Sequence, residues 1–226
     1  MAIQIKSTSD VHQEKGVRAV VYGMSGAGKT CLIPTLPTPL VLSAESGLLS
    51  IAGAGVPYIE VNSYASLMEA YRFVAESSEA KAFQSIAVDS ITEIAELVLA
   101  HEKSVNKDGR AAYGEMATQV VEIIRAFRDL SGKHIYFSAK CEKSQDETGR
   151  MLYAPSMPGN KLGQQIPYLV DEVFALRVET AQDGSMVRAL QCQPNGTWQA
   201  KDRSGRLAAW EAPDLGAIIR KISGAQ

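Results

Sequence analysis

Several classes of protein are excluded by what this chain lacks. Its three cysteines, Cys31, Cys141 and Cys192, are far apart in 226 residues and form no C-x-x-C pair. That argues against a disulfide framework or a cysteine zinc site, and fits a reducing compartment. His12, His101 and His134 do not pair with cysteine at ligand spacing. No run of 18 apolar residues is present, and the opening Met-Ala-Ile-Gln-Ile-Lys is not a signal peptide, so a cytoplasmic protein is expected. The formal net charge is −2, so no global basic field advertises nucleic acid. Any such contact must come from local patches. Neither an internal repeat nor a linker divides the chain. Hydrophobic residues make up 46% and charged residues 21%, ordinary proportions for a globular protein with one substantial core.

What is present begins at Val17-Arg-Ala-Val-Val-Tyr-Gly-Met-Ser-Gly-Ala-Gly-Lys-Thr30. Val17 to Tyr22 is short, β-branched and almost uncharged, and is expected to be a buried strand. Gly23 to Thr30 fits G-x-x-x-x-G-K-[ST] at every fixed position. Such a match arises by chance in roughly one chain in a hundred of this length. The glycines let the backbone turn so that consecutive amides point at phosphate oxygens. Gly23, Ser25, Gly26, Ala27, Gly28, Lys29, Thr30 and Cys31 are the candidate nucleotide-binding residues. Lys29 is placed to reach the β- and γ-phosphates, and Thr30 to offer its hydroxyl to Mg²⁺. Cys31 is expected to be packed rather than reactive.

Along the remaining chain, residues 1–16 look like an arm or lead-in, and 17–226 like one domain. The helix after the loop must be short, because Pro34 and Pro37 interrupt it. Strands are expected at 40–42, 58–61, 83–89 and 135–138, with helices near 64–76, 91–104 and 114–130. Ser63 is the expected N-cap of the first helix, and Gly132 a residue just past the end of the third. Residues 139–165 are polar, long and without period, and are expected to be a functional or mobile loop. A hairpin is expected over 172–180 and 185–192, a further strand at 197–201, and a last helix from Pro213 to near Lys221. Strands alternating with helices, then antiparallel strands, imply an α/β core. Its sheet is mostly parallel, flanked by helices, with a C-terminal hairpin extension.

Phosphate-loop chemistry needs a carboxylate for the Mg²⁺ water shell, at the end of an apolar strand beside the loop. Asp89 in Ser-Ile-Ala-Val-Asp89-Ser fits, so Thr30 and Asp89 are the metal-side residues. Water attack needs a base. Glu45 ends Leu-Val-Leu-Ser-Ala-Glu45, where strand C-termini converge in an open parallel sheet. Glu93 and Glu96 are its rivals. Lys140, after the strand 135–138, is a candidate γ-phosphate sensor, with Ser138 as the alternative.

The order of phosphate loop, Ala-Glu45-Ser-Gly and Ile-Ala-Val-Asp89-Ser resembles the RecA-like ATPase core. Phe137-Ser-Ala-Lys140, Pro155-Ser-Met-Pro-Gly-Asn-Lys161, Val170-Asp-Glu-Val173 and Lys201-Asp-Arg203-Ser-Gly205 make the chain resemble, more narrowly, phage AAA-type nucleotide-binding proteins. That group is regarded as RecA-like single-strand annealing or recombination proteins, the fourth Sak class. The resemblance implies a P-loop NTPase using ATP and Mg²⁺, with Glu45 as base and Asp89 assisting the metal. It implies single-stranded DNA and a homo-oligomer, ring or filament, as partners. A single-strand DNA-binding protein is a further candidate, and the host cytoplasm is the implied location. The sequence departs from the RecA-like pattern at Ser43, where an Asp is common. Lys201-Asp-Arg203-Ser-Gly is similar to the Lys-Asn-Arg-x-Gly motif of related enzymes, which implies that Lys201 and Arg203 act in trans on a neighbour's ATP. The same residues also make a good solvated turn.

Two basic stretches are candidate DNA loops: Lys103, Lys107, Arg110 and Tyr113, and Lys143, Arg150, Tyr153 and Lys161. Backbone contacts by Lys and Arg with base stacking on Tyr would bind single strands without regard to sequence. Ordinary surface charge is the alternative, since Asp108, Glu142, Asp146 and Glu147 dilute both. Two other functions remain open: a nucleotide-dependent adaptor that never touches DNA, and a phosphate-loop kinase, for which a lone Arg150 makes a poor lid.

Overall fold

The run Ala19-Val-Val-Tyr22 has no charge to turn toward water, so as a strand it needs apolar cover on both faces. β1 (Arg18–Gly23) has it. Val20 and Tyr22 join the core on one side of the sheet, Ala19 and Val21 the core on the other, as the two-residue period of a strand requires. The computed structural model describes residues 16–159, 162–181 and 183–224. The expected lead-in lies almost wholly outside them, as do Lys161 and Gln182.

Among the described residues one sheet runs through β2 (Pro39–Ser43), β3 (Tyr58–Glu60), β4 (Ser85–Asp89), β5 (His134–Gln145), β6 (Met151–Pro155), β7 (Glu172–Thr180), β8 (Met186–Gln191), β9 (Lys201–Asp202) and β10 (Trp210–Glu211). The order is β10-β8-β7-β1-β5-β4-β2-β3, with β6 on β5 and β9 on β7. The stretch from β7 to β3 is parallel. β6, β8, β9 and β10 are antiparallel. This is the mostly parallel sheet with an antiparallel extension that the sequence implies.

α1 (Tyr64–Glu76), α2 (Ile91–Val105), α3 (Gly109–Arg128) and α4 (Leu162–Leu169) cover one face, contributing Leu67, Val98, Phe127 and Ile166 to its core. A 3-10 helix, Thr30–Thr35, and α5 (Leu215–Ser223) cover the other with Leu32, Ile33, Ile218 and Ile222. Ser63 caps α1 through the Ser66 amide, as its position suggests. The helix after the loop is short, with Pro34 inside it.

Four expectations are corrected. Residues 139–165 are not a loop: β5 continues to Gln145 and β6 folds back on it, followed by α4. The Asp146 Oδ1 atom accepts from Thr148 N, Thr148 Oγ1 and Arg150 N, which closes the turn. The far half of this hairpin is exposed at Glu142 to Gln145, whereas Cys141 and Tyr153 at its base pack against the core, so its apolar residues follow no regular alternation. α3 starts at Gly109 rather than 114, because Asp108 caps it through the Arg110 amide. Lys103 to Tyr113 is therefore two helix ends around a tight turn. The strand at 197–201 reduces to Lys201–Asp202 and one bridge between Tyr153 and Trp198. The C-cap of α3 is Asp129, and Gly132, with φ +67°, serves the turn beyond it.

The start of β7 carries a buried acid. Burial pushes the Glu172 carboxyl up to about 8, and neighbouring Asp202 adds to the shift. A carboxyl that holds its proton more tightly folded than unfolded costs stability as pH rises from the ordinary carboxylate range through that value. Thermal melts between about pH 5 and pH 9 should therefore fall more steeply for the wild type than for Glu172→Gln. Parallel curves would refute the buried ionisation.

Candidate nucleotide site

The phosphate loop leaves β1 at Gly23 and turns with positive φ at Gly26 (76°) and Gly28 (101°). Side chains rarely adopt those angles, which explains glycine there. Lys29 folds back along the loop, its Nζ donating to Gly23 O at 3.0 Å and Met24 O at 3.3 Å. Burial lowers the Lys29 pKa, while Glu45 and Asp89 oppose that shift. A lysine held so has a sparse water shell and two acids nearby, and is poised for an added anion. Behind the loop, the Tyr136 hydroxyl donates to Lys29 O at 2.8 Å. Burial raises the Tyr136 pKa well above its ordinary value, so it stays a donor.

β4 ends beside the loop, two strands from β1. Asp89 is 1% exposed, so its carboxylate must find donors inside the protein. Thr30 Oγ1 donates to Oδ2 at 2.8 Å, and Ser138 Oγ donates to Oδ1. The carboxylate thus links the ends of the loop, β4 and β5. Ser138, the alternative to Lys140 as sensor, has its hydroxyl on Asp89.

β2 ends next to β4. The Ala44 and Glu45 amides donate to Asp89 O at 2.7 and 3.2 Å. Ser90 Oγ donates to Glu45 Oε1 at 2.5 Å and accepts from the Glu93 amide as the N-cap of α2. Glu45 is half-buried and held at the same edge as Asp89. Its rivals are placed differently: Glu93 pairs with Lys140, and Glu96 is exposed. The Glu93 contact raises the Lys140 pKa, so this candidate sensor is a firm cation at the rim. The structure therefore brings together Gly23 to Thr30, Glu45, Asp89 and Lys140.

Cys31 is exposed, not packed. The tight 3-10 turn after Lys29 directs Leu32 and Ile33 inward instead. Two neighbours of the loop have no local signal in the sequence. Tyr136 is one. The other is Arg188 on β8, whose Nε donates to Ala27 O at 3.0 Å.

The remaining candidates lie apart. β9 pairs with the first residues of β7, so Lys201 and Arg203 sit at the end of the sheet opposite the loop. Lys201 Nζ donates to Pro167 O and Val170 O, closing the end of α4, and burial lowers its pKa. Arg203 pairs with Asp171 at 2.7 Å beside a cleft of about 830 Å³ that has no part of the phosphate loop. Lys103 lies over the Tyr113 ring at 5.1 Å, with Tyr113 42% exposed. Lys107 and Arg110 flank the turn and are exposed. Lys143 and Arg150 belong to the β5–β6 hairpin. The Tyr153 ring is stacked on Trp198 at 4.1 Å, so packing takes the face expected for a base. Among the described residues no group of three or more His, Cys, Asp or Glu could hold a metal by itself. No helix there is long and apolar enough to cross a membrane.

The AAA domain family profile matches residues 15–204. The chain belongs to the AAA domain family. The match spans the loop, Glu45, Asp89, Lys140, Lys201 and Arg203. Among solved structures, this AAA domain is similar to an ATPase from the type III secretion system of pathogenic bacteria. That likeness has 14% identity and a TM-score of 0.50, and covers 72% of this chain and 51% of that one. A KaiC-like protein from the hyperthermophilic archaeon Pyrococcus horikoshii aligns with 14% identity over 78% of this chain and 77% of that chain, at a TM-score of 0.41. No curated protein matches. The fold is that of RecA-like P-loop ATPases.

Proposed function

We propose that this AAA domain binds ATP with Mg²⁺ at Gly23 to Thr30 and hydrolyses it, slowly as an isolated subunit. The observation that carries the reading is the Asp89 carboxylate, buried and bonded to Thr30 on one oxygen and Ser138 on the other. A hydroxyl and one carboxylate at this spacing suit Mg²⁺, which prefers few protein ligands alongside phosphate oxygens and water. Bound there, the ion would neutralise phosphate charge. Lys29 carries the second cation, in a poorly hydrated position where charge acts strongly. Glu45, anchored by Ser90, orients and deprotonates the attacking water. Lys140 closes the rim from β5.

We further propose that the protein binds single-stranded DNA for annealing or strand exchange, as a homo-oligomer. Support comes from the sequence resemblance and from the basic turn joining α2 to α3, where Tyr113 offers an exposed ring among Lys103, Lys107 and Arg110. Lys143 and Arg150 on the hairpin would meet phosphates. The trans-finger reading now rests on Arg203, because the Lys201 ammonium is occupied by α4. The competing reading is an assembly ATPase without DNA.

Glu45→Gln should retain ATP binding and lose turnover by about 10²–10⁴, checked by phosphate release alongside calorimetry. Normal turnover would refute the base assignment. Fluorescence anisotropy with a labelled single-stranded oligonucleotide should show binding that weakens steeply as salt rises. No binding at low salt would leave the adaptor reading.

A further inference from the structure

Arg188 touches the phosphate loop but has no role in the proposed ATP chemistry. It comes from β8, and its Nε donates to Ala27 O at 3.0 Å. An atom at the Cβ position of Gly28 would lie 3.4 Å from Arg188 Nε, 3.6 Å from Cδ and 4.0 Å from Cys31 Cβ. The guanidinium and the exposed Cys31 thus border the same spot, where the loop passes into the 3-10 helix. Arg188 is exposed, and among the described residues no carboxylate pairs with it. An arginine with no acid partner and tethered by Nε leaves the flat face and both terminal nitrogens of its guanidinium available beside the loop.

The sheet order says which end of a nucleotide would meet it. Glu45 and Asp89 lie on the β5-β4-β2 side of β1, whereas Arg188 lies on the β7-β8 side. A triphosphate with its γ end beside Glu45 and Lys29 runs back across the loop amides, so its nucleoside leaves on the β8 side. There Arg188 shares a sheet face with Val178, its partner across the hairpin, and with Met186, which is 58% exposed. A flat cation with apolar neighbours suits the π face of a purine rather than another phosphate.

We propose that Arg188 is the base-binding residue of the nucleotide site, stacking its guanidinium on the purine ring. This rests on the ATP reading above. The Ala27 hydrogen bond tethers the guanidinium beside the loop, and the β7–β8 hairpin becomes part of the site.

Calorimetry on the full chain with MgATP, MgADP and magnesium tripolyphosphate tests it. Arg188→Ala should weaken ATP and ADP equally, by roughly three- to thirty-fold, and leave tripolyphosphate unchanged. Arg188→Lys keeps the charge but lacks the plane, and should not restore the loss. Equal weakening of tripolyphosphate would make Arg188 a loop clamp or phosphate ligand and overturn the proposal. Unchanged ATP affinity in Arg188→Ala, or full recovery in Arg188→Lys, would also overturn it. Failure of the wild type to bind any of the three would refute the nucleotide reading itself, and this inference with it. Lys29→Ala should weaken all three, which separates the phosphate subsite from the base subsite.

Discussion

A carboxylate with 1% exposure holds this fold's working end together. Asp89 cannot be left unbonded at that depth without a cost of several kcal/mol. Its donors come from two other segments, Thr30 at the start of the 3-10 helix and Ser138 on β5. Its own carbonyl accepts from Ala44 and Glu45 at the end of β2. One residue therefore sets the mutual positions of the loop, Glu45 and the neighbouring strands.

Around that point the site divides by the sides of β1. Toward β2 it is acidic and suited to phosphate chemistry, with Glu45 held by Ser90 and Glu93 drawn away by Lys140. Toward β8 it offers a cation with no acid partner among the described residues, an exposed thiol and apolar neighbours. Charge at the centre is Lys29, whose burial lowers its pKa against the pull of two acids. The basic turn at α2–α3 and the β5–β6 hairpin extend from this region but share no hydrogen bond with the loop among the described residues.

The parts legible in the sequence were those with local signals. The phosphate loop has fixed spacing, Asp89 ends an apolar strand, and Ser63 precedes a periodic helix. Where the signal was not local, it was missed. The Tyr136 contact joins residues 107 positions apart, and the Arg188 contact spans 161. Neither motif nor period marks such pairs. The β5–β6 hairpin was missed for another reason: its β5 half is polar and exposed beyond Cys141, while β6 is apolar at successive positions, so neither strand carries a clear two-residue alternation. Lys201 was read from its motif as a finger or a solvated turn, whereas the structure turns its ammonium onto the Pro167 and Val170 carbonyls at the end of α4.

The central claim is that Asp89 couples metal to nucleotide at this loop. Calorimetric titration of ATP with Mg²⁺ and with chelator, on wild type and Asp89→Asn, tests it directly. The account predicts that Mg²⁺ tightens ATP binding to the wild type and that Asp89→Asn loses this gain while still binding ATP. A full Mg²⁺-dependent gain in Asp89→Asn, or no heat of ATP binding to the wild type, would contradict it.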